Sequence, residues 1–556
     1  MTMKRLIGMM SIILTAVSCI EDKSNYDYIN TIKVTYVDRI QGYTFVAGEK
    51  VELTAPITFS EPIEEKQIDK LFEITWWVDG EKIAEGYKIS YTFATVGGAS
   101  LVVKVVNRQT GETFLSDNMR STTKNAVGWG WILLSAKEGD VSSLSFIHPV
   151  SFNTIHNLES DIEGGLGTGP KGLQYYFVDG SIPSSYISGL PKMIVNQSSG
   201  SVTLDASVML KDRSLADEFQ SGSEPETDLT IKGFAWKESF YLIASEEGNL
   251  YMRYLPSEFT HIPYYGTYSS MPLAFDGGAK IGCFQGFNNV ARFVMNEDRA
   301  MMYDELNGRF LIITTGNWYD KTNPDPYRPV VIELQHYDET QVFDPSVPKV
   351  NAMDTGTKCL AIGAYEEETY TYTDEESGEV VSQSNSVYVA IIDLGGTGNY
   401  QLYRFDVSPF SYRDHTIVGN TMIPFDGQMT PESVIRMSSN FSKNPYFYYT
   451  DGDKKLYAYS LELNTSKLIY EGTDKIVALS SSPLDCEFSA YGGNSKEPNW
   501  RLAVGQQDGN VAILDVKIEK MTNVFDNIPV DLILTTVGGF GQLKDIVWAT
   551  NFTAEF

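Results

Sequence analysis

Leu502-Ala503-Val504-Gly505-Gln506-Gln507-Asp508-Gly509-Asn510-Val511-Ala512 is an apolar strand, a turn built on glycine, and a second apolar strand. The same order returns at Tyr241–Tyr251 around Gly248 and at Phe447–Tyr457 around Gly452. Both arms of each copy are rich in residues that favour extended backbone, and the polar turn supplies the one position that tolerates positive φ. Weaker copies centre on Gly139, Gly180, Gly308 and Gly378. From Gly248 onward the turn glycines stand 60, 70, 74 and 57 residues apart, a period that suits a propeller blade with long loops. Seven turns predict about seven blades over residues 123–556. An elongated array of β-sandwiches is the structural alternative.

At the far end of the chain, Leu543-Lys544-Asp545-Ile546-Val547-Trp548-Ala549 is one more strand with no partner after it. It sits where a closing strand would complete the first blade near Trp131 and remove the exposed edge. Upstream, residues 30–122 show strands and no helical periodicity. In Leu71-Phe72-Glu73-Ile74-Thr75-Trp76-Trp77-Val78 the residues Phe72, Ile74, Trp76 and Val78 share a face, and Asp79-Gly80 follows as a tight turn. Ser100–Val106 is β-branched and apolar and ends at a turn. These strands predict an immunoglobulin-like sandwich with Trp76 in the core and Trp77 on the other face, packed against a neighbouring loop or domain rather than a partner.

The N-terminus is an address. Lys4 and Arg5 precede an apolar run through Leu14, and Leu14-Thr15-Ala16-Val17-Ser18-Cys19 reads as a lipobox. Residues 1–18 are then a signal peptide, Cys19 the lipidated residue, and 19–29 an acidic tether. The lipobox resemblance implies acylation of Cys19, whose acyl chains would anchor the protein in a membrane.

Composition narrows the partners. The 556 residues carry 72 acidic and 43 basic side chains, a net charge of -29. A phosphate backbone is repelled by such a surface, which excludes nucleic acid as the expected partner. Four cysteines, Cys19, Cys283, Cys359 and Cys486, lack metal-ligand spacing, and five scattered histidines form no paired motif. No GxSxG elbow, P-loop, HExxH or EF-hand pattern occurs. No cofactor and no metal is expected. The run Glu366-Glu367-Glu368 with Asp374, Glu375, Glu376 and Glu379 lacks the ligand order of a calcium loop and reads as a solvated hairpin.

The segments Cys19–Tyr28, Thr75-Trp76-Trp77, Thr110-Gly111-Glu112, Gly130–Leu134 and Leu144–Ile147 resemble the PKD-like lipoproteins of Bacteroidota, most closely over the first 150 residues. Glu21 and Asp22 resemble the acidic export signal that takes such lipoproteins to the cell surface. The resemblance implies an all-β protein, a PKD-like sandwich followed by the propeller, facing outward from the outer membrane beside a SusC/SusD-type importer and sister lipoproteins. The turn Trp76-Trp77-Val78-Asp79-Gly80 departs from the Trp-x-Phe-Gly-Asp-Gly of PKD modules.

Turn-rich aromatic segments are the candidate contact sites. Tyr264 and Tyr265 lie in His261–Tyr268, and Trp318, Tyr319 and Tyr327 in Gly316–Tyr327. Their rings can stack on sugar faces or anchor a peptide or protein. The expected function is a non-catalytic accessory subunit of the importer, binding glycan or peptide ligand or transporter components. The alternatives are a surface glycoside hydrolase or lyase, using carboxylates from different blades, and an adhesin.

Overall fold

The computed structural model describes every residue except 1–31, 37–42, 47–49, 94–96, 125–126, 128, 180–188, 207–208, 227–228, 238–239, 255–265, 285–298, 316–328, 337–345, 374–377, 379, 408–415, 438–444, 484–499 and 551–556. The chain divides into two compact units, Met1–Lys124 and Asn125–Phe556.

In the first unit Gly97–Asn107 pairs antiparallel with Phe72–Val78 on one side and Met119–Lys124 on the other, and Glu81–Glu85 and Tyr43–Val46 extend this sheet. Two ribbons, Lys50–Thr54 with Lys88–Thr92 and Val34–Tyr36 with Ile57–Phe59, form the second layer. Leu53, Ile57 and Ile89 from the ribbons share one core with Phe72, Ile74, Trp76, Val103 and Val105 from the sheet. Trp76 is fully buried, and its indole N–H donates to the Gly86 carbonyl at 3.1 Å. Trp77 faces the other way and is half-buried, its indole N–H held by the Thr75 hydroxyl at 2.9 Å. Asp79 and Gly80 have φ of 47° and 87°, as a two-residue hairpin turn requires. A helix at Glu65–Leu71 was not expected from the sequence. It buries Ile68 alone, so seven residues leave no apolar period to detect.

The second unit is a ring of sheets. Among the described residues seven follow one another, and each of six begins with its innermost strand: Pro170–Asp179, Ile231–Lys237, Ile281–Phe284, Lys358–Thr373, Ile435–Met437 and Ile476–Pro483. These open blades 2 to 7. Blade 1 takes its outer three strands, Trp129–Lys137, Val141–Ile147 and Thr154–His156, from the start of the unit and its innermost strand, Gln542–Thr550, from the end. Each innermost strand touches that of the next blade, and Ile476–Pro483 touches Gln542–Thr550, so the seven form a closed ring. The predicted closing strand is therefore present, with Trp131 opposite Trp548 and Leu133 opposite Ile546.

The apolar alternation explains why the ring stacks. Both faces of a blade are covered by neighbours, so successive residues of one strand enter different cores. Ile132 and Leu134 pack toward blade 2, whereas Trp131 and Leu133 pack toward blade 7. Leu502 and Val504 pack toward blade 6, and Ala503 toward blade 1. Separate apolar clusters likewise fill the junctions of blades 3 with 4, 4 with 5 and 5 with 6.

The recurring glycine turns dock each blade on the next. Ile281 N–H donates to the Gly248 carbonyl, Met353 N–H to Gly308 and Ile476 N–H to Asp453, each at 2.8 Å. In each case the turn between a blade's second and third strands holds the chain that leads into the following blade. At Gly509, with φ of 85°, a Cβ would overlap the Gly541 backbone, so the close approach at the ring closure requires glycine. Two of the expected turn markers need correction. Gly180 and Gly378 fall between the first and second strands of blades 2 and 5, whose docking turns instead carry Gly200 and Gly395–Gly398. Any hairpin can carry a glycine, so the residue alone does not say which turn of the blade it marks.

Trp131 and Trp548 meet edge to face, ring centres 5.1 Å apart. Trp548→Ala is expected to destabilise the second unit by about 3–5 kcal/mol, read as a lower urea midpoint. Truncation before Gln542 is expected to abolish its cooperative transition, because blade 1 then has a bare edge in the middle of the ring.

Candidate functional site

Cys19, Tyr264, Tyr265, Trp318, Tyr319 and Tyr327 all lie outside the described residues. Of the first aromatic segment Tyr268 is described, and it is buried against Phe219 with ring centres 5.3 Å apart. That ring belongs to the core of blades 1 to 3. Glu366, Glu367 and Glu368 lie on Lys358–Thr373, which pairs with Val380–Leu394, and their side chains are outside the described set, as are Asp374, Glu375, Glu376 and Glu379 altogether. Among the described residues no group of His, Cys, Asp and Glu is placed to hold a metal ion, and no helix is long and apolar enough to cross a membrane.

Cys283 and Cys359 sit on the innermost strands of blades 4 and 5 as buried free thiols in one core cluster. Burial pushes the Cys359 thiol well above its ordinary value, and its contact with Cys283 pushes it further. Neither observation describes an activated nucleophile, which needs a lowered pKa and access.

Two buried carboxylates, Glu218 and Asp304, are committed to structure. Glu218 receives a hydrogen bond from Thr203 at 2.5 Å and an ion pair from Arg253 at 3.0 Å, both partners almost fully buried. Asp304 is held by Arg309 at 2.9 Å, and Arg309 reaches on to Glu333 at 2.7 Å. Burial raises the Glu218 carboxyl, and Arg253 opposes it.

A shallow cleft of about 520 Å³ opens on blade 1, lined by Lys137, Ser143, His156, Asn157, Gly539 and Phe540 among others. His156 lies on Phe540 with ring centres 4.9 Å apart. Lys137 is already shared between Asn157 and Glu159, at 2.5 and 2.7 Å. Burial pushes Glu159 up, and Lys137 with the Leu144 N–H outweighs it, leaving its carboxyl below the usual range.

The axis of the ring carries a different chemistry. Near the start of six of the seven innermost strands the pairing slips by one residue, at Lys171, Lys232, Gly282, Leu360, Val477 and Lys544. Such bulges unpair one residue and re-aim its side chain. Blade 6 has no slip, and its three-residue strand centres on Arg436. Further in, Asp545 of blade 1 accepts the Leu173 N–H of blade 2 and its neighbour Ile546 N–H, each at 2.8 Å. Burial lifts the Asp545 carboxyl above its ordinary value against those two donors. Arg436 is driven down by burial, opposed by the charge of Asp545, yet no ion pair joins the two. Its Nε is buried without a hydrogen-bond partner. Both residues keep some solvent access. Sequence gave no sign of this pair, because a lone Arg and a lone Asp on separate strands carry no motif.

No family model and no curated protein matches this chain. Solved structures do. It is similar to a quinonprotein alcohol dehydrogenase-like protein from Bacteroides thetaiotaomicron at 11% identity, TM-score 0.38, over 92% of this chain and 97% of that one. It is also similar to an auxiliary nutrient binding protein from the same organism at 8% identity, TM-score 0.29, over 90% of this chain and 87% of that one.

Asp545→Ala is expected to leave the Leu173 N–H unpaired at the junction of blades 1 and 2 and to cost about 1–3 kcal/mol. Asp545→Asn keeps an acceptor and should cost less. Thermal unfolding of the two variants checks the order.

Proposed function

We propose that this chain is a surface-exposed outer-membrane lipoprotein that binds without catalysing, as an accessory subunit of a SusC/SusD-type nutrient importer. The lipobox ending at Cys19 and the acidic residues behind it support the anchoring and the outward orientation. The PKD-like resemblance supports the association with the importer and sister lipoproteins. In this arrangement the sandwich stands next to the anchor and the propeller meets ligand, glycan or peptide, or transporter.

The observation that carries the binding role is how three carboxylates inside the ring are held among the described residues. Glu218 is neutralised by Arg253, Asp304 by Arg309, and Asp545 is pinned by two backbone donors. A glycosidase needs two carboxyl groups facing one bond, about 5–9.5 Å apart, and free to exchange protons. Among the described residues of the innermost strands, Lys232, Lys544 and the Arg436 Nε make no hydrogen bond or ion pair, and free cations suit holding a ligand better than cleaving one.

Radiolabelled palmitate should enter the wild-type chain and fail to enter Cys19→Ala. A tag on the native-level protein should recover an importer from detergent-solubilised outer membranes; recovery of the chain alone would count against the association. Release of reducing ends from a polysaccharide panel, abolished by one carboxylate substitution, would replace this function with the hydrolase or lyase alternative.

A further inference from the structure

The chain as a whole has 72 acidic side chains against 43 basic ones, yet the opening residues of the innermost strands reverse that balance. Among their described side chains stand Lys171, Lys232, Lys358, Arg436 and Lys544 against the single carboxylate Asp545. Asp179, Lys237, Glu366, Glu367 and Glu368, further along the strands of blades 2, 3 and 5, have side chains outside the described set. Five cations against one anion at the strand openings is not the average composition of a chain with a net charge of -29.

Their placement is regular. Lys544, Lys171 and Lys232 are the bulged residues of blades 1, 2 and 3, three consecutive blades. Antiparallel pairing within each blade makes the innermost strands all start at one face, the face that also carries the docking turns. The three lysines therefore stand side by side at one mouth of the ring. Lys171 reaches the Thr230 hydroxyl at 2.7 Å across the junction of blades 2 and 3. Lys232 and Lys544 make no hydrogen bond or ion pair among the described residues. Arg436 lies on the innermost strand of blade 6, with its Nε buried and unsatisfied. A guanidinium whose Nε is buried and unsatisfied, with no ion-pair partner, is stabilised when an anion reaches it.

Resting on the binding role proposed above, we infer that this mouth of the ring is a binding site for an acidic glycan, one carboxylate engaging Arg436 and others the lysines of blades 1 to 3. Guanidinium geometry matches a carboxylate with two parallel hydrogen bonds, and the lysines act as point charges that tolerate variable spacing along a flexible polymer. Low-dielectric walls strengthen these local cations, while the acidic exterior repels polyanions elsewhere and confines binding to the axis. An extended peptide draws much of its affinity from a free strand edge. The lysines instead offer separate point charges on three adjacent blades, which suits carboxylates repeated along a polyhydroxyl chain.

The test uses the full chain in detergent and calorimetric titration with oligogalacturonate, a neutral dextran of the same length, and poly-glutamate. Oligogalacturonate should bind, with affinity falling as salt rises. Arg436→Gln should weaken it ten-fold or more, and Lys232→Gln with Lys544→Gln several-fold. Lys66→Gln, an equal charge change in the first unit, should leave it unchanged. Arg436→Gln can also perturb the axis, so its thermal midpoint is measured alongside; the exposed Lys232 substitution and the partly exposed Lys544 one keep the inference falsifiable if it unfolds. No binding of oligogalacturonate at low salt, or binding indifferent to the axial substitutions, overturns it. Equal binding of poly-glutamate overturns the assignment to glycan. Tight binding of neutral dextran alone would refute the acidic site and leave the binding role standing, whereas cleavage of any of these polymers would remove that role itself.

Discussion

Everything in the larger unit depends on the pairing of Gln542–Thr550 with Trp129–Lys137. A blade buries apolar side chains on both faces and cannot do so alone, so a row of blades always ends in two exposed faces. Bending the row into a ring removes both, and a strand from the far end of the chain bolts the first blade shut. Main-chain hydrogen bonds and the edge-to-face contact of Trp131 with Trp548 supply the bolt. The entropic cost of bringing chain ends together grows only slowly with loop length, so closure over so many residues is affordable once the contacts are good.

Two-faced burial also decides where chemistry is possible. Strands such as Tyr446–Thr450 and Val511–Asp515 are buried along their whole length, every second residue entering a different neighbour. Polar groups caught inside must be paired, as Glu218 is with Arg253, or be pushed to the rims and the axis. The axis is where seven strand starts converge. A residue type that would be unremarkable on one blade acquires meaning there by repetition: three bulged lysines on consecutive blades make a local field that none makes singly.

The fold was more legible than the site. Glycine turns between apolar arms announced hairpins because positive φ is needed at a fixed place, and the same turns proved to dock each blade on the next. Two of the markers, Gly180 and Gly378, pointed at the wrong hairpin of their blades, since turn chemistry is local and blade register is not. The helix at Glu65–Leu71 was invisible because one buried residue makes no period. Arg436 and Asp545 gave no signal either; the approach of one to the other is made by the curvature of the ring.

Sequence by itself determined most of the strands and hairpin turns, the apolar faces, the approximate number of repeats and the partner for the last strand, because each follows from local periodicity, from backbone conformations open to particular residues, or from an unpaired edge. Only the tertiary structure decided which cations share the axis, which thiols meet between blades 4 and 5, and which carboxylates are already taken. Those depend on distances between residues hundreds of positions apart, and such distances are fixed when the ring closes.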